Sequence, residues 1–384
     1  MKTERLFETP LTEEQQANSI LNQREFREGS TVLKSFPRRI VFELTNRCNF
    51  QCIMCGREAV NFRVNDLPVD VVTAFEAFYS KTEEVTLHGW GEGTLHPKLP
   101  RILEYLNGFK RLRKYFVTNG STIPRIKDLV FEHHVDLIAV SLDGSTAATN
   151  DSIRKGGNFL REVDSVSALM EEKNRRGALY PYVNFVFTAM RRNISELPGM
   201  VALAKRTGVP EVKVVYLTVF DESLAGESLL DMQETVRESF ALASELAAAE
   251  GIKLKLPEIQ GEGDAGSMPH KPCAFAWRDF YIGSDCFVRP CQSSSEKLLG
   301  IKDYASPLEA WNSAGMIRMR ASVNSEERMP PSCMNCYHSS CANWNLKSSF
   351  VQYDKAFAPE WLPVDTGEAV SEGLQPVIAD AKKT

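Results

Sequence analysis

The stretch Glu43-Leu-Thr-Asn-Arg-Cys48-Asn-Phe-Gln-Cys52-Ile-Met-Cys55-Gly-Arg decides how this chain is read. Its cysteines follow C-x3-C-x2-C and come directly after a run, Ile40–Thr45, that reads as a β-strand. Phe42 and Leu44 share one face of that run, and Glu43 and Thr45 the other, as the period-two alternation of a strand requires. Three thiolates on one short loop can hold three corners of a [4Fe–4S] cube. Closed electron-transfer cubes use four cysteines, so a three-cysteine loop leaves one iron open to a ligand.

Strand–helix alternation continues outward from this loop. Predicted strands are Ile40–Thr45, Glu84–His88, Lys114–Thr118, Leu137–Leu142, Tyr182–Thr188 and Val212–Thr218. The stretches between them are helical: Leu197, Met200, Val201 and Ala204 fall at i, i+3, i+4, i+7, and Phe159, Val163, Val166 and Met170 are spaced more loosely. Such alternation implies parallel strands with right-handed crossovers. Six units predict an α/β fold, a partial (β/α)6 barrel rather than a closed eight-fold one. Ile138, Val140 and Leu142 oppose Ala139, Ser141 and Asp143; Val183, Phe185 and Phe187 oppose Asn184, Val186 and Thr188. The apolar faces should meet the helices. The more polar faces should line a wet, ligand-holding interior, unless the strands form an open sheet with one solvated face. A barrel of this kind places its chemistry at the C-terminal ends of its strands, where the cysteine loop falls.

The chain has 384 residues and nine cysteines, enough length for two domains without disulfide staples. The expected divisions are an N-terminal extension at 1–37, the barrel and a following helix at 38–260, a cysteine-rich domain at 268–345 and a tail at 346–384. Residues 261–266 read as a linker, and 37 residues are too few for a separate recognition domain. The net charge of −5, from 45 basic and 50 acidic residues, leaves no electrostatic footprint for nucleic acid or anionic lipid. No secretory h-region follows the first residues and no apolar run reaches ~20 residues, so a cytoplasmic protein is expected. In a reducing compartment clustered cysteines point to metal rather than disulfides. No cysteine lies between Cys55 and Cys273, whereas inert core thiols would scatter.

On these residues the chain resembles the radical SAM superfamily over most of 38–345, with Met54 at the loop's expected apolar position. The resemblance implies that Cys48, Cys52 and Cys55 hold the [4Fe–4S] cluster and that S-adenosylmethionine binds its open iron. One electron then cleaves a C–S bond, giving a 5′-deoxyadenosyl radical that abstracts a substrate hydrogen atom. His88-Gly-Trp-Gly-Glu92 resembles the family's glycine-glycine-glutamate element, so Gly89, Trp90, Gly91 and Glu92 are expected at the methionyl amino group. Thr118-Asn-Gly120, Ser141-Leu-Asp-Gly144 and Asn150–Arg154 follow later strands. Among them Ser141 and Arg154 are candidates for the ribose and methionyl carboxylate, and Asn119, Asp143 and Asn184 complete the expected cofactor set.

The C-terminal block resembles the SPASM/twitch domain of the same enzymes. Cys273, the hairpin Tyr281–Cys291, Trp311 and Cys333-Met-Asn-Cys336 carry the likeness. Cys273, Cys291, Cys333 and Cys336 fit one auxiliary [4Fe–4S] cluster, as in the twitch form. Cys286, where the family hairpin commonly has glycine, and Cys341 are left over. A second, incompletely ligated cube is the competing reading, and Cys333-x2-Cys336 alone would also suit zinc.

His88, Tyr216, Thr218, Arg191 and Arg192 are placed to meet a substrate, although solvated positions are the default for the arginines. His133 and His134 read as surface, and His338 as a loop histidine or a non-cysteine ligand. The implied activity is an iron–sulfur oxidoreductase acting on a sugar, cyclitol or nucleoside-like metabolite. The auxiliary cluster would accept an electron, and a flavodoxin or ferredoxin would be the donor. The alternative is a peptide or protein maturase, for crosslinking or sulfatase-type side-chain oxidation. A non-enzymatic electron carrier would suit a four-cysteine first loop, which this chain lacks.

Overall fold

The computed structural model describes residues 11–59, 63–109, 111–220, 222–260, 272–294, 296–325 and 327–340. The linker 261–266, Cys341 and the tail 346–384 lie outside the described residues.

Ten strands form the main sheet: β1 (Arg39–Phe42), β2 (Glu84–Leu87), β3 (Arg113–Thr118), β4 (Leu137–Ser141), β5 (Tyr182–Ala189), β6 (Glu211–Tyr216), β7 (Lys253–Lys255), β8 (Asp279–Ile282), β9 (Phe287–Arg289) and β10 (Leu299–Gly300). Their order is β10-β9-β8-β1-β2-β3-β4-β5-β6-β7. From β8 across to β7 every neighbouring pair is parallel, and β9 and β10 add antiparallel.

The first six strands match the predicted ones to within a few residues at each end. Two parallel strands go beyond the expected six. β7 is the charged tripeptide Lys253-Leu-Lys255, which carries no strand-like apolar run. β8 belongs to the cysteine-rich hairpin, yet it pairs with β1 in the register Arg39↔Asp279 to Phe42↔Ile282. The hairpin therefore continues the barrel sheet.

The two faces divide as the alternation predicts. Phe42, Leu44, Ile138, Val140, Leu142, Val183, Phe185 and Phe187 belong to one large core cluster shared with the helices. Leu197, Met200, Val201 and Ala204 meet them from helix Leu197–Thr207, which ends at Gly208 in the left-handed conformation (φ 75°); glycine is the usual residue there. The opposite face carries Arg39, Glu84, Tyr115, Asn184, Glu211, Lys213 and Asp279 alongside a small apolar group of Tyr115, Leu137, Ala139 and Tyr182. Burial lowers the Lys213 ammonium pKa, and the charges of Lys255, Arg39 and Arg278 act on it as well. In a flat sheet β6 and β1 would lie five strand spacings apart, roughly 24 Å. The sheet must therefore curl to bring these side chains together, enclosing a polar interior.

The N-terminal extension contains a helix, Glu13–Arg27, that opens on a Thr12/Gln15 capping box. Its buried face is polar apart from Phe26, which packs edge-on against Trp277 at 5.1 Å. The Gln15 amide donates to the Thr82 carbonyl (2.9 Å), and Asn18 donates to Phe36 and Lys81 carbonyls (3.1 and 3.2 Å). Asn22 donates to the Trp277 carbonyl (2.7 Å), and Glu25 accepts the Lys34 and Ser35 amides (2.6 and 3.1 Å). These bonds satisfy backbone groups at strand starts and bind the extension to both the barrel and the cysteine-rich segment.

Candidate active site: two sets of thiols

Cys48, Cys52 and Cys55 lie on the loop after β1. The loop is pinned by a two-residue antiparallel pairing of Gln51–Cys52 with Arg154–Lys155, and by Ile53 donating to the Ile153 carbonyl at 2.9 Å. Gly91 is required by close approach: a Cβ there would lie 2.3 Å from the Thr45 carbonyl oxygen. Gly56 is held likewise, because a Cβ would come 2.6 Å from the Trp90 ring. Trp90 in turn packs edge-on against Phe220 at 5.3 Å.

Cys48 and Cys52 both feel the charge of Cys55, and Cys52 also that of Cys48. Burial raises the Cys48 pKa and carries Cys52 up to about 11, with Arg154 opposing at Cys52. The Phe50 amide donates to Cys48 Sγ at 3.4 Å, Asn119 Nδ2 lies 3.9 Å from Cys48 Sγ, and Arg154 Nη1 lies 4.0 Å from Cys52 Sγ. Arg154 is ion-paired with Asp143 at 2.7 Å, with both side chains buried. Asp143 also accepts the Thr188 amide at 2.7 Å. Arg154 Nε is buried without a partner.

The Glu92 carboxylate, 3% exposed, is already engaged. It accepts from Thr94, from the Thr118 hydroxyl (2.9 Å) and from the Asn119 amide (2.7 Å), so it sets the Thr118–Gly120 turn. Ser141 ends β4, half-buried. Asn184, buried on β5, donates to Glu211 at 3.1 Å. Met54 joins Ile53, Ile153, Met190, Leu217, Val219 and Leu224 in an apolar cluster beside that loop. Apart from Met54 these residues have no signal in the sequence, because isolated apolar residues in loops and at element ends carry no pattern.

The second set gathers near the start of β8. Cys273 is buried, and its backbone exchanges hydrogen bonds with Asn324 (2.7 and 3.2 Å). Its pKa is raised by burial and then by Cys291, Cys336 and Cys333. Burial likewise carries Cys291 up to about 12 and Cys333 up to about 11. The charges of the four expected auxiliary ligands thus reach one another. Cys333 and Cys336 do so from one face of helix Pro331–Ser340 rather than from the tight turn that C-x2-C suggests. No three His, Cys, Asp or Glu among the described residues could hold one metal ion. Zinc would need its sulfurs within about 4 Å of each other; a multi-iron core spreads them further apart.

Cys286 stands at the tip of the β8–β9 hairpin in the left-handed conformation (φ 64°), which explains glycine as the usual residue there. The charges around it are Lys302, Asp285 and Asp70, with no cysteine among them. Four residues of near-extended chain lie between it and Cys291, a span of roughly 16 Å.

Other expected substrate-facing residues are placed differently. Tyr216 points outward into the core, 2% exposed, near Phe240; the period-two pattern puts it with Val212 and Val214. Arg191 and Arg192 pair with Asp231 and Glu227 on the surface (2.7 and 2.5 Å). His88 is hydrogen-bonded to Gln292 at 2.9 Å, linking the mouth of the barrel to the residue after Cys291.

The donor chemistry fits an iron–sulfur group. Buried thiols with raised pKa bind as thiolates only when positive charge compensates them, and apart from Arg154 and Arg57 the protein supplies little at the first set. Residues 42–196 match the family model described as the Radical SAM superfamily. This stretch is a radical SAM domain. Radical SAM domains use S-adenosylmethionine and a [4Fe–4S] cluster.

Among known proteins the chain is 29% identical over 190 residues to the AdoMet-dependent heme synthase of Methanosarcina barkeri, covering 48% of this chain and 52% of that one. It thus spans about half the length of that relative. It is 23% identical to the PqqA peptide cyclase of Gluconobacter oxydans, over 79% of this chain and 84% of that protein. In fold it resembles Streptococcus suis SuiB bound to S-adenosylmethionine, with TM-score 0.59, 13% identity and coverage of 84% and 76% of the two chains.

Proposed function

We propose that this protein is a radical SAM oxidoreductase that oxidises or otherwise modifies a small polar metabolite such as a sugar, cyclitol or nucleoside. Cys48, Cys52 and Cys55 would hold the catalytic cluster. Cys273, Cys291, Cys333 and Cys336 would hold an auxiliary [4Fe–4S] cluster that takes up an electron. The observation that carries the reading is the grouping of the cysteines into two separate sets, one on the loop after β1 and one around the β8–β9 hairpin that pairs with β1. When bound, the cluster and S-adenosylmethionine supply one-electron C–S cleavage and a hydrogen-abstracting 5′-deoxyadenosyl radical.

The chain's own residues orient and shield. Arg154, with its unpartnered Nε, together with Ser141, Asn119 and the Gly89–Glu92 backbone, would hold the cofactor's polar groups. Met54, Ile153 and Leu217 would take its apolar surface. A flavodoxin or ferredoxin would deliver the electron.

A peptide maturase is the second reading, favoured by the length of chain over which the sequence follows the PqqA peptide cyclase. Iron and sulfide analysis of anaerobically reconstituted protein tests the cluster count: about eight irons per chain are expected, and about four or about twelve would contradict it. Stimulation of 5′-deoxyadenosine turnover by a metabolite pool, against a pool of short peptides, separates the two substrate classes.

A further inference from the structure

We infer that Glu43 is a positioning residue that couples the cofactor loop to the auxiliary cysteine hairpin. The inference rests on the proposal that the second thiol set holds a cluster. Glu43 stands just past β1 and is 2% exposed. Its carboxylate accepts three hydrogen bonds from two distant segments: the Trp90 amide at 2.8 Å, the Ser284 amide at 2.9 Å and the Ser284 hydroxyl at 2.8 Å. Its own amide donates to the Ile282 carbonyl at 2.9 Å. A side chain at Gly89 would collide with it, since a Cβ there would lie 2.4 Å from Glu43 Cγ.

Trp90 belongs to the loop that approaches the first cysteines. Ser284 lies in the turn of the β8–β9 hairpin, whose second strand leads to Cys291. A second tie, His88 to Gln292, holds the hairpin just beyond Cys291. The segment Ser284–Gln292 is therefore fastened at both ends to the residues around the β2 loop. A rearrangement of the Trp90–Glu92 loop disturbs a buried carboxylate that already accepts from both segments. A ligand that orders one loop consequently acts on the other, and the coupling is reciprocal.

The test follows the reduction potential of the auxiliary cluster in the full reconstituted chain, identified as the wave missing from Cys291→Ala. Adding S-adenosylmethionine to the wild type should shift that redox equilibrium about tenfold, or about 59 mV for one electron. In Glu43→Gln, which keeps the shape but turns one acceptor into a donor, the wave should persist and the shift should fall below a third of that. Ser284→Ala, which removes one donor and leaves the carboxylate, should reduce the shift partially and serves if Glu43→Gln does not load. A shift of wild-type size in both variants, or no shift in the wild type, overturns the inference. Absence of the auxiliary wave from the wild type overturns the cluster assignment beneath it.

Discussion

Arg154 concentrates the chemistry of the first site in one side chain. It reaches toward Cys52, neutralises Asp143 inside the protein and keeps Nε unpartnered. A buried guanidinium donor left open is costly unless a ligand uses it. Arg154→Gln should weaken S-adenosylmethionine binding roughly ten- to a hundredfold, from loss of a charge-assisted hydrogen bond worth ~1.5–3 kcal/mol, while the first cluster's iron is retained. Equilibrium dialysis measures this, and unchanged affinity would remove Arg154 from the cofactor set. The residue was legible in the sequence only through the order of motifs behind the cysteine loop. Tyr216 shows the limit of such placement: its position at a strand end suggested the mouth, yet strand alternation turns it into the helix layer. Glu43 gave no signal of its bridging role, because Ser284 is distant in sequence and no local pattern pairs them.

At the scale of elements, the six core strands and the apolar helix faces were readable because burial imposes a period of two or 3.6 on them. β7 was not, because Lys253 and Lys255 face a charged interior and their apolar stems, rather than apolar residues, fill it. The placement of β8 beside β1 was equally hidden, since strand pairing between Arg39–Phe42 and Asp279–Ile282 is a long-range event. The N-terminal helix reads as a polar extension for a related reason: apart from Phe26, its buried side chains bond backbone groups instead of packing on apolar ones. Asn22 makes this concrete, joining the Trp277 carbonyl and Ser35 hydroxyl (2.7 and 2.9 Å). Asn22→Ala should lower stability by ~1–3 kcal/mol, the cost of leaving buried partners unpaired. Urea unfolding of the reconstituted chain checks this, and a change under about 0.5 kcal/mol would contradict the clamp.

At the scale of the molecule, the sheet joins two thiol sets that the sequence keeps far apart. The three-cysteine loop identified the first directly, because C-x3-C-x2-C is local. The second was readable only through its resemblance to the SPASM/twitch pattern, because Cys273, Cys291, Cys333 and Cys336 come from a segment before β8, the chain after β9 and a late helix. The central claim is that the incomplete first set activates a cofactor rather than carrying electrons. Reduced, reconstituted protein incubated with S-adenosylmethionine tests it by chromatography of the products. The account predicts that 5′-deoxyadenosine and methionine form with the wild type and vanish in Cys52→Ala. No cleavage by the wild type, or cleavage undiminished in Cys52→Ala, would contradict it.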